Sequence, residues 1–205
     1  MRKQTLGDML EYAVKEPGKQ VKRNIRLAIK KEQMVVTVMI EIPKGSRNKY
    51  EYDRERGMVK FDRMLFSAVH YPSDYGFILD TLAQDGDSLD ALVLVWEATF
   101  PGCIIEVRPV GLFRMQDEKG PDEKILCVPV ADPLWNYIEC LGDVPPHLLK
   151  EIQHFFSIYK ELEEKKTGVE GWEDRESAIR VIRESQQRYQ EQFKSPPTRY
   201  NRRPV

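Results

Sequence analysis

The order of the chain's patterns predicts an α+β domain built on a small barrel, and three observations carry that expectation. Short β-branched runs occupy positions 34 to 130, amphipathic helical patterns follow Pro145, and Gly120-Pro121 marks a tight hairpin between two apolar runs. Strands first and helices last is the arrangement of a sheet or barrel with helices segregated to one side. A length of 205 residues is long enough for one sizeable core and short for two.

The elements follow in order. Residues 1–16 place apolar side chains at 6, 9, 10, 13 and 14, a helical spacing that Pro17-Gly18 ends. Residues 19–33 are basic and read as a second short helix or a linker, so 1–33 is an N-terminal helical extension. The β-branched run at 34–43 reads as a strand stopped by Pro43. Residues 48–53 and 57–65 read as two strands joined through "RERG". After "YPSDYGF" a strand is expected to run toward "LDTLA", and Ala91–Trp96 reads as a short buried strand. Residues 103–116 and 124–130 form the hairpin around Gly120-Pro121. Apolar positions 148, 149, 152, 155, 156 and 159 predict a helix over 147–165, and a second helix is expected over 174–193. The main domain is thus 34–193. Residues 194–205 are Pro-rich and basic, the composition of a flexible tail.

Composition excludes several classes. Apolar residues make up 41% and charged residues 32%, with no stretch near the ~20 apolar residues of a membrane span. The N-terminus has a positive start but no apolar run after it, so the expected address is the cytoplasm. Cys103, Cys127 and Cys140 are odd in number and widely spaced, which argues against a disulfide framework or zinc knuckle. His70, His147 and His154 form no tight ligand pair. The net charge of −1 hides a segregation. Residues 1–33 hold nine Lys/Arg against four Asp/Glu, and residues 194–205 hold four Lys/Arg and no acid, leaving −10 on residues 34–193. An acidic main domain argues against nucleic-acid binding.

The stretch "DGDSLD" places Asp85, Asp87 and Asp90 within six positions. It fits a solvated polar turn, since turns favour Asp and Gly. An EF-hand loop fails, because counting from Asp85 puts Leu89 at position 5 and Asp90 where glycine is needed. A magnesium site is the third reading, because hard divalent ions take oxygen ligands and share phosphates with a substrate. That reading gains from a second acidic cluster, Asp117 and Asp122, on the hairpin turn, with Lys124 two residues on. Lys49 and Glu51 alternate on one face of a strand, and Arg63 lies beyond. Tyr71 and Tyr75 read as core or rim aromatics. Tyr159 and Lys160 close the helical stripe. Acids for cations and Lys, Arg and Tyr for phosphate oxygens describe a metal-dependent phosphoryl-transfer site. Spacing leaves the substrate open, and no Walker A, GxSxG or Cys–His pattern competes.

Six ordered motifs resemble the family I soluble inorganic pyrophosphatases of prokaryotic type: "IEIPKGSRNKYEYD", "FDRMLFSAVHYPSDYGFI", "DTLAQDGDSLDALVL", "RPVGLFRMQDEKGPDEKILCVPV", "HFFSIYKELE" and "VEGWED". The resemblance runs from about Val36 to near Tyr189. It implies a five-stranded OB-like β-barrel with flanking C-terminal helices, and hydrolysis of pyrophosphate to two phosphates with several Mg²⁺ per site, other divalent metals being possible. It implies that Asp85, Asp90 and Asp122 hold activating metals, and that Asp87 accepts the proton of the attacking water. By the same resemblance Asp117 and Glu51 hold metals arriving with substrate, and Lys49, Arg63, Tyr159 and Lys160 bind phosphate. Glu41, Tyr75 and Lys124 match supporting polar positions, and Tyr71 a wall aromatic. A homo-oligomer, a hexamer in such relatives, with no membrane or nucleic-acid partner, is also implied. Ser88 departs from the family's usual Pro or Glu. Two rivals are a phosphohydrolase of nucleoside triphosphates, which needs a base pocket, and a non-catalytic OB module, which would have lost the acids.

Overall fold

The computed structural model describes residues 34–118, 120–165 and 167–193. The expected N-terminal helix and basic tail lie outside the described residues. Nine strands and two longer helices make up the described part.

The first strand, β1 (Val36–Ile42), alternates strictly: Val36, Val38, Ile40 and Ile42 are buried while the residues between are half-exposed. That alternation is the pleat of a strand with one face on a core. β2 (Asn48–Asp53) and β3 (Met58–Met64) pair antiparallel as a separate two-stranded sheet. β4 (Asp74–Ile78) starts within the "YPSDYGF" motif and ends one residue past it, rather than following it. β5 (Asp90–Val93) begins at Asp90 and stops short of the expected end at Trp96.

A 14-residue strand, β6 (Ile104–Asp117), runs through most of the remaining ladder. It pairs with β1 near its start, with β8 (Lys124–Pro129) in its middle, and with β9 (Gly168–Glu173) toward its end. The two-residue β7 (Gly120–Pro121) folds back on the last two residues of β6, which confirms the turn. Pro109 cannot donate to a ladder, and the register with β8 shifts there, between Pro109 and Gly111. β1 pairs with β4, β4 with β5, β5 with β8, β8 with β6, and β6 again with β1. These five strands form a closed ring of pairings in a mixed sheet, all antiparallel except β5 with β8.

Helix α1 (Pro146–Ile158) starts with proline in its first turn, where the missing N–H costs nothing. Its Ile152, Phe155 and Phe156 pack into a core with Leu92, Val110 and Phe113. Each of those side chains contributes roughly 1.5–3 kcal/mol on burial. The helix is shorter than its sequence pattern. It ends at Ile158, and Glu161–Glu163 forms a 3-10 turn instead. Tyr159 keeps the apolar stripe and is 5% exposed. Helix α2 (Arg175–Phe193) buries Ala178, Val181 and Ile182. Its Ser185 carbonyl accepts from the Leu82 amide, and Arg188 Nε donates to the Leu82 carbonyl. These bonds anchor the chain entering the "DGDSLD" loop.

Candidate active site

The loop holding the first acidic cluster is tied to itself. The Ala83 amide donates to the Asp87 carbonyl at 2.7 Å, and the Asp87 amide to Asp85 Oδ1 at 3.1 Å. Gly86 has φ +92°, a conformation that costs an L side chain but not glycine. Leu89, fully buried, seats the loop, and its amide donates to Thr81 Oγ1. The loop is thus a hydrogen-bonded polar turn that leaves Asp85 and Asp87 exposed.

Sheet register assembles the next layer. Asp90 lies opposite Phe77 on β4 and opposite Lys124 on β8, so side chains from three strands share one face. Lys124 Nζ donates to Asp90 Oδ2 at 2.8 Å and to Asp122 Oδ1 at 2.5 Å. The Tyr75 hydroxyl also donates to Asp90 Oδ2. Lys124 is 1% exposed. Burial opposes its charge, but Asp90 and Asp122 outweigh burial and hold the ammonium above its ordinary value. Burial pushes the Asp90 carboxyl up. Lys124 pulls it down, but Asp122 repels it, and the net shift is upward. One ammonium shared by two carboxylates cannot fully compensate both.

The two-stranded sheet supplies a second group. Lys49 faces Arg63 across the β2–β3 ladder. Lys49 Nζ reaches Glu51 at 2.6 Å and Asp62 at 3.2 Å. Glu163 chelates Arg63 through both oxygens, at 3.1 and 2.7 Å. From the 3-10 turn side, Lys160 Nζ reaches Asp117 Oδ2 at 3.0 Å. The early end of α1 releases Lys160 toward the hairpin. Burial raises the Tyr71, Tyr75 and Tyr159 hydroxyls, keeping them neutral donors. Burial also pushes Glu41 up to about 7, although the Tyr52 amide donates to it at 2.6 Å.

All these groups open on one cavity of about 470 Å³. Thirteen of the fourteen residues singled out in the sequence line it: Glu41, Lys49, Glu51, Arg63, Tyr71, Tyr75, Asp85, Asp87, Asp90, Asp117, Asp122, Tyr159 and Lys160. The fourteenth, Lys124, lies beneath and reaches two of them. Sequence reasoning missed Asp62, Glu163 and Arg54. Asp62 had a signal, since it neighbours Arg63 on an exposed strand. Glu163 had none, because it stands 100 residues from the arginine it holds.

The donor set can be tested for fit to a metal. Among the described residues, ten carboxylates and five Lys/Arg line the cavity, with no histidine or cysteine. An oxygen-only set with excess negative charge suits hard divalent cations and not soft ones. Among the described residues, no three acidic, histidine or cysteine side chains are gathered tightly enough to hold an ion as they stand. Lysines sit between them instead, at Asp90–Lys124–Asp122 and at Asp117–Lys160. The chemistry of the set fits a hard divalent cation such as Mg²⁺.

Comparison with known proteins agrees with this geometry. The family model described as inorganic pyrophosphatase matches residues 38–190. An inorganic pyrophosphatase of Methanosarcina mazei is 64% identical over 163 residues, covering 80% of this chain and 96% of the relative. One from Halalkalibacterium halodurans is 51% identical, covering 77% and 97%. The crystal structure of inorganic pyrophosphatase from Thermus thermophilus superposes with a TM-score of 0.74 at 49% identity, covering 76% of this chain and 91% of that one. The matched span includes every residue singled out at the cavity, and this chain belongs to the inorganic pyrophosphatase family.

Proposed function

We propose that the protein hydrolyses pyrophosphate to two phosphates, with several Mg²⁺ ions at the cavity and Asp87 as general base. The observation that carries this reading is the convergence, among the described residues, of ten carboxylates and five cationic side chains on one cavity. Asp85, Asp90 and Asp122 would hold activating Mg²⁺, and Asp117 and Glu51 would hold Mg²⁺ arriving with substrate. Mg²⁺ held there would supply Lewis-acid polarisation and a more acidic water.

The chain's own groups do the rest. Lys49, Arg63, Lys160 and the Tyr159 hydroxyl bind phosphate oxygens and neutralise the leaving phosphate. A water oxygen attacks one phosphorus, the bridging P–O bond breaks, and an Oδ of Asp87 takes the proton. Asp87 sits on the exposed loop between Asp85 and Asp90, the two proposed ligands, where it would reach a water held by them. Lys124 and Tyr75 position Asp90 from below, Glu41 supports the β2 backbone, and Tyr71 forms the wall. We further propose that the five-stranded ring is an OB-like barrel, and that the chain forms cytoplasmic homo-oligomers, hexamers by family resemblance. Among the described residues, no helix is long and apolar enough to cross a membrane.

Asp87→Asn tests the proton assignment. It should keep Mg²⁺ binding by calorimetry while the rate of phosphate release falls at least ~100-fold, a typical general-base contribution. Full activity in that variant would remove Asp87 from the mechanism.

A further inference from the structure

Among the described residues, four of the five cations lining the cavity are already committed to carboxylates. Lys49 is held by Glu51 and Asp62, Arg63 by Asp62 and Glu163, Lys160 by Asp117, and Lys165 by Glu118. Among the described residues, Arg54 is the one cavity-lining cation with no carboxylate partner. Its guanidinium Nη2 donates to the Ser88 hydroxyl across the cavity mouth. Arg54 stands on the turn between β2 and β3, where Gly57 at φ +64° lets the chain reverse. Ser88 follows Asp87 directly. The guanidinium is therefore parked one residue from the proposed base, on a neutral acceptor.

A hydroxyl is a weak holder for a guanidinium, because it offers one oxygen and no charge. A phosphoryl group offers two or three charged oxygens in the geometry of the guanidinium fork, and such bonds are about twice as strong. If the site takes pyrophosphate, as proposed above, Arg54 has more to gain from substrate than the other described cations of the cavity. The others must first leave a carboxylate.

We infer that Arg54 is a substrate-binding residue that exchanges the Ser88 hydroxyl for a phosphoryl oxygen of pyrophosphate when substrate enters. The exchange breaks only hydrogen bonds. Serine at 88 makes the resting contact possible, since proline there would offer no hydroxyl. Arg54 grips a terminal phosphoryl oxygen, whose charge is similar before and during attack. Its contribution therefore appears in substrate affinity rather than in turnover.

Two variants of opposite expectation test this. Arg54→Gln should raise KM for pyrophosphate with Mg²⁺ about tenfold and leave kcat within about twofold, the loss of one partly screened charge-assisted contact. Methylenediphosphonate, whose P–C–P bridge is not hydrolysed, should bind that variant about tenfold more weakly by calorimetry with Mg²⁺. Ser88→Ala removes the competing resting partner and should tighten methylenediphosphonate up to about threefold. If both variants weaken binding alike, Arg54 and Ser88 are only a structural latch and the inference is wrong. Unchanged KM and unchanged analogue affinity in Arg54→Gln would also overturn it. Absence of pyrophosphate hydrolysis by the unmodified protein would instead overturn the functional reading. The methylenediphosphonate measurements would still decide whether Arg54 binds a polyphosphate.

Discussion

Replacing Lys124 with methionine removes the buried charge beneath the cavity and keeps the shape of the side chain. Its Nζ lies 2.8 Å from Asp90 and 2.5 Å from Asp122. At an effective dielectric of about 20, each attraction is roughly 6 kcal/mol gross. Most of that offsets the cost of burying the three charges, so the net effect is smaller. Breaking a buried pair by deleting one partner typically costs about 3–5 kcal/mol, because the other charge is left behind. Here two carboxylates are left, and Asp90 keeps only the Tyr75 hydroxyl. For a chain of this size that loss lowers Tm by roughly 6–20 °C. The assay is a thermal melt followed by circular dichroism, with EDTA at pH 7.5. Adding Asp90→Asn to the same chain should recover part of the loss, since a neutral amide no longer needs the ammonium. A Tm within about 1 °C of the parent, or a double variant no better than the single, would refute the view that Lys124 balances the acids.

Glu41 gives a pH signature in the metal-free protein. Burial raises its folded-state value to about 7 against 4.5, so its contribution is fully present below about pH 4.5 and is lost as pH rises through 7. The shift corresponds to about 3 kcal/mol. Glu41→Gln should therefore match the parent near pH 4 in urea melts with EDTA and exceed it at pH 8; equal stability at pH 8 would contradict the burial argument. Gly76→Ala should cost about 3 kcal/mol or more. A Cβ there would stand 1.9 Å from the Met39 carbonyl of β1, which is backbone and cannot step aside. A shift in the urea midpoint worth less than about 1 kcal/mol would show that β1 and β4 can separate without loss.

Much of the scaffold was legible because its period is local. β2 and β3 lie within a residue of their sequence boundaries, and α2 starts within one residue of the expected position. The α1 stripe correctly named Ile152, Phe155 and Phe156 as core. Its length misled, since the apolar period continues to Tyr159 while the backbone turns at Lys160 to meet Asp117. β9 escaped reading because "GVEGWE" carries two glycines and no clean alternation. Its partner β6 lies more than fifty residues earlier. The acids of the site were visible as clusters, and the closing of the clusters was not. Asp90 meets Lys124 through a parallel register that no local pattern encodes. Arg63 meets Glu163 only through the packing of a 3-10 turn against the separate hairpin sheet. The resemblance supplied the missing long-range information as roles, and the fold supplies it as distances.

Metal-dependent hydrolysis of pyrophosphate at this cavity, as proposed, is measured directly by phosphate release. The unmodified protein given pyrophosphate and Mg²⁺ should release two phosphates per substrate, and excess EDTA should abolish release. Release that persists in the chelator, or no release with Mg²⁺ present, would rule out metal-dependent hydrolysis at this cavity.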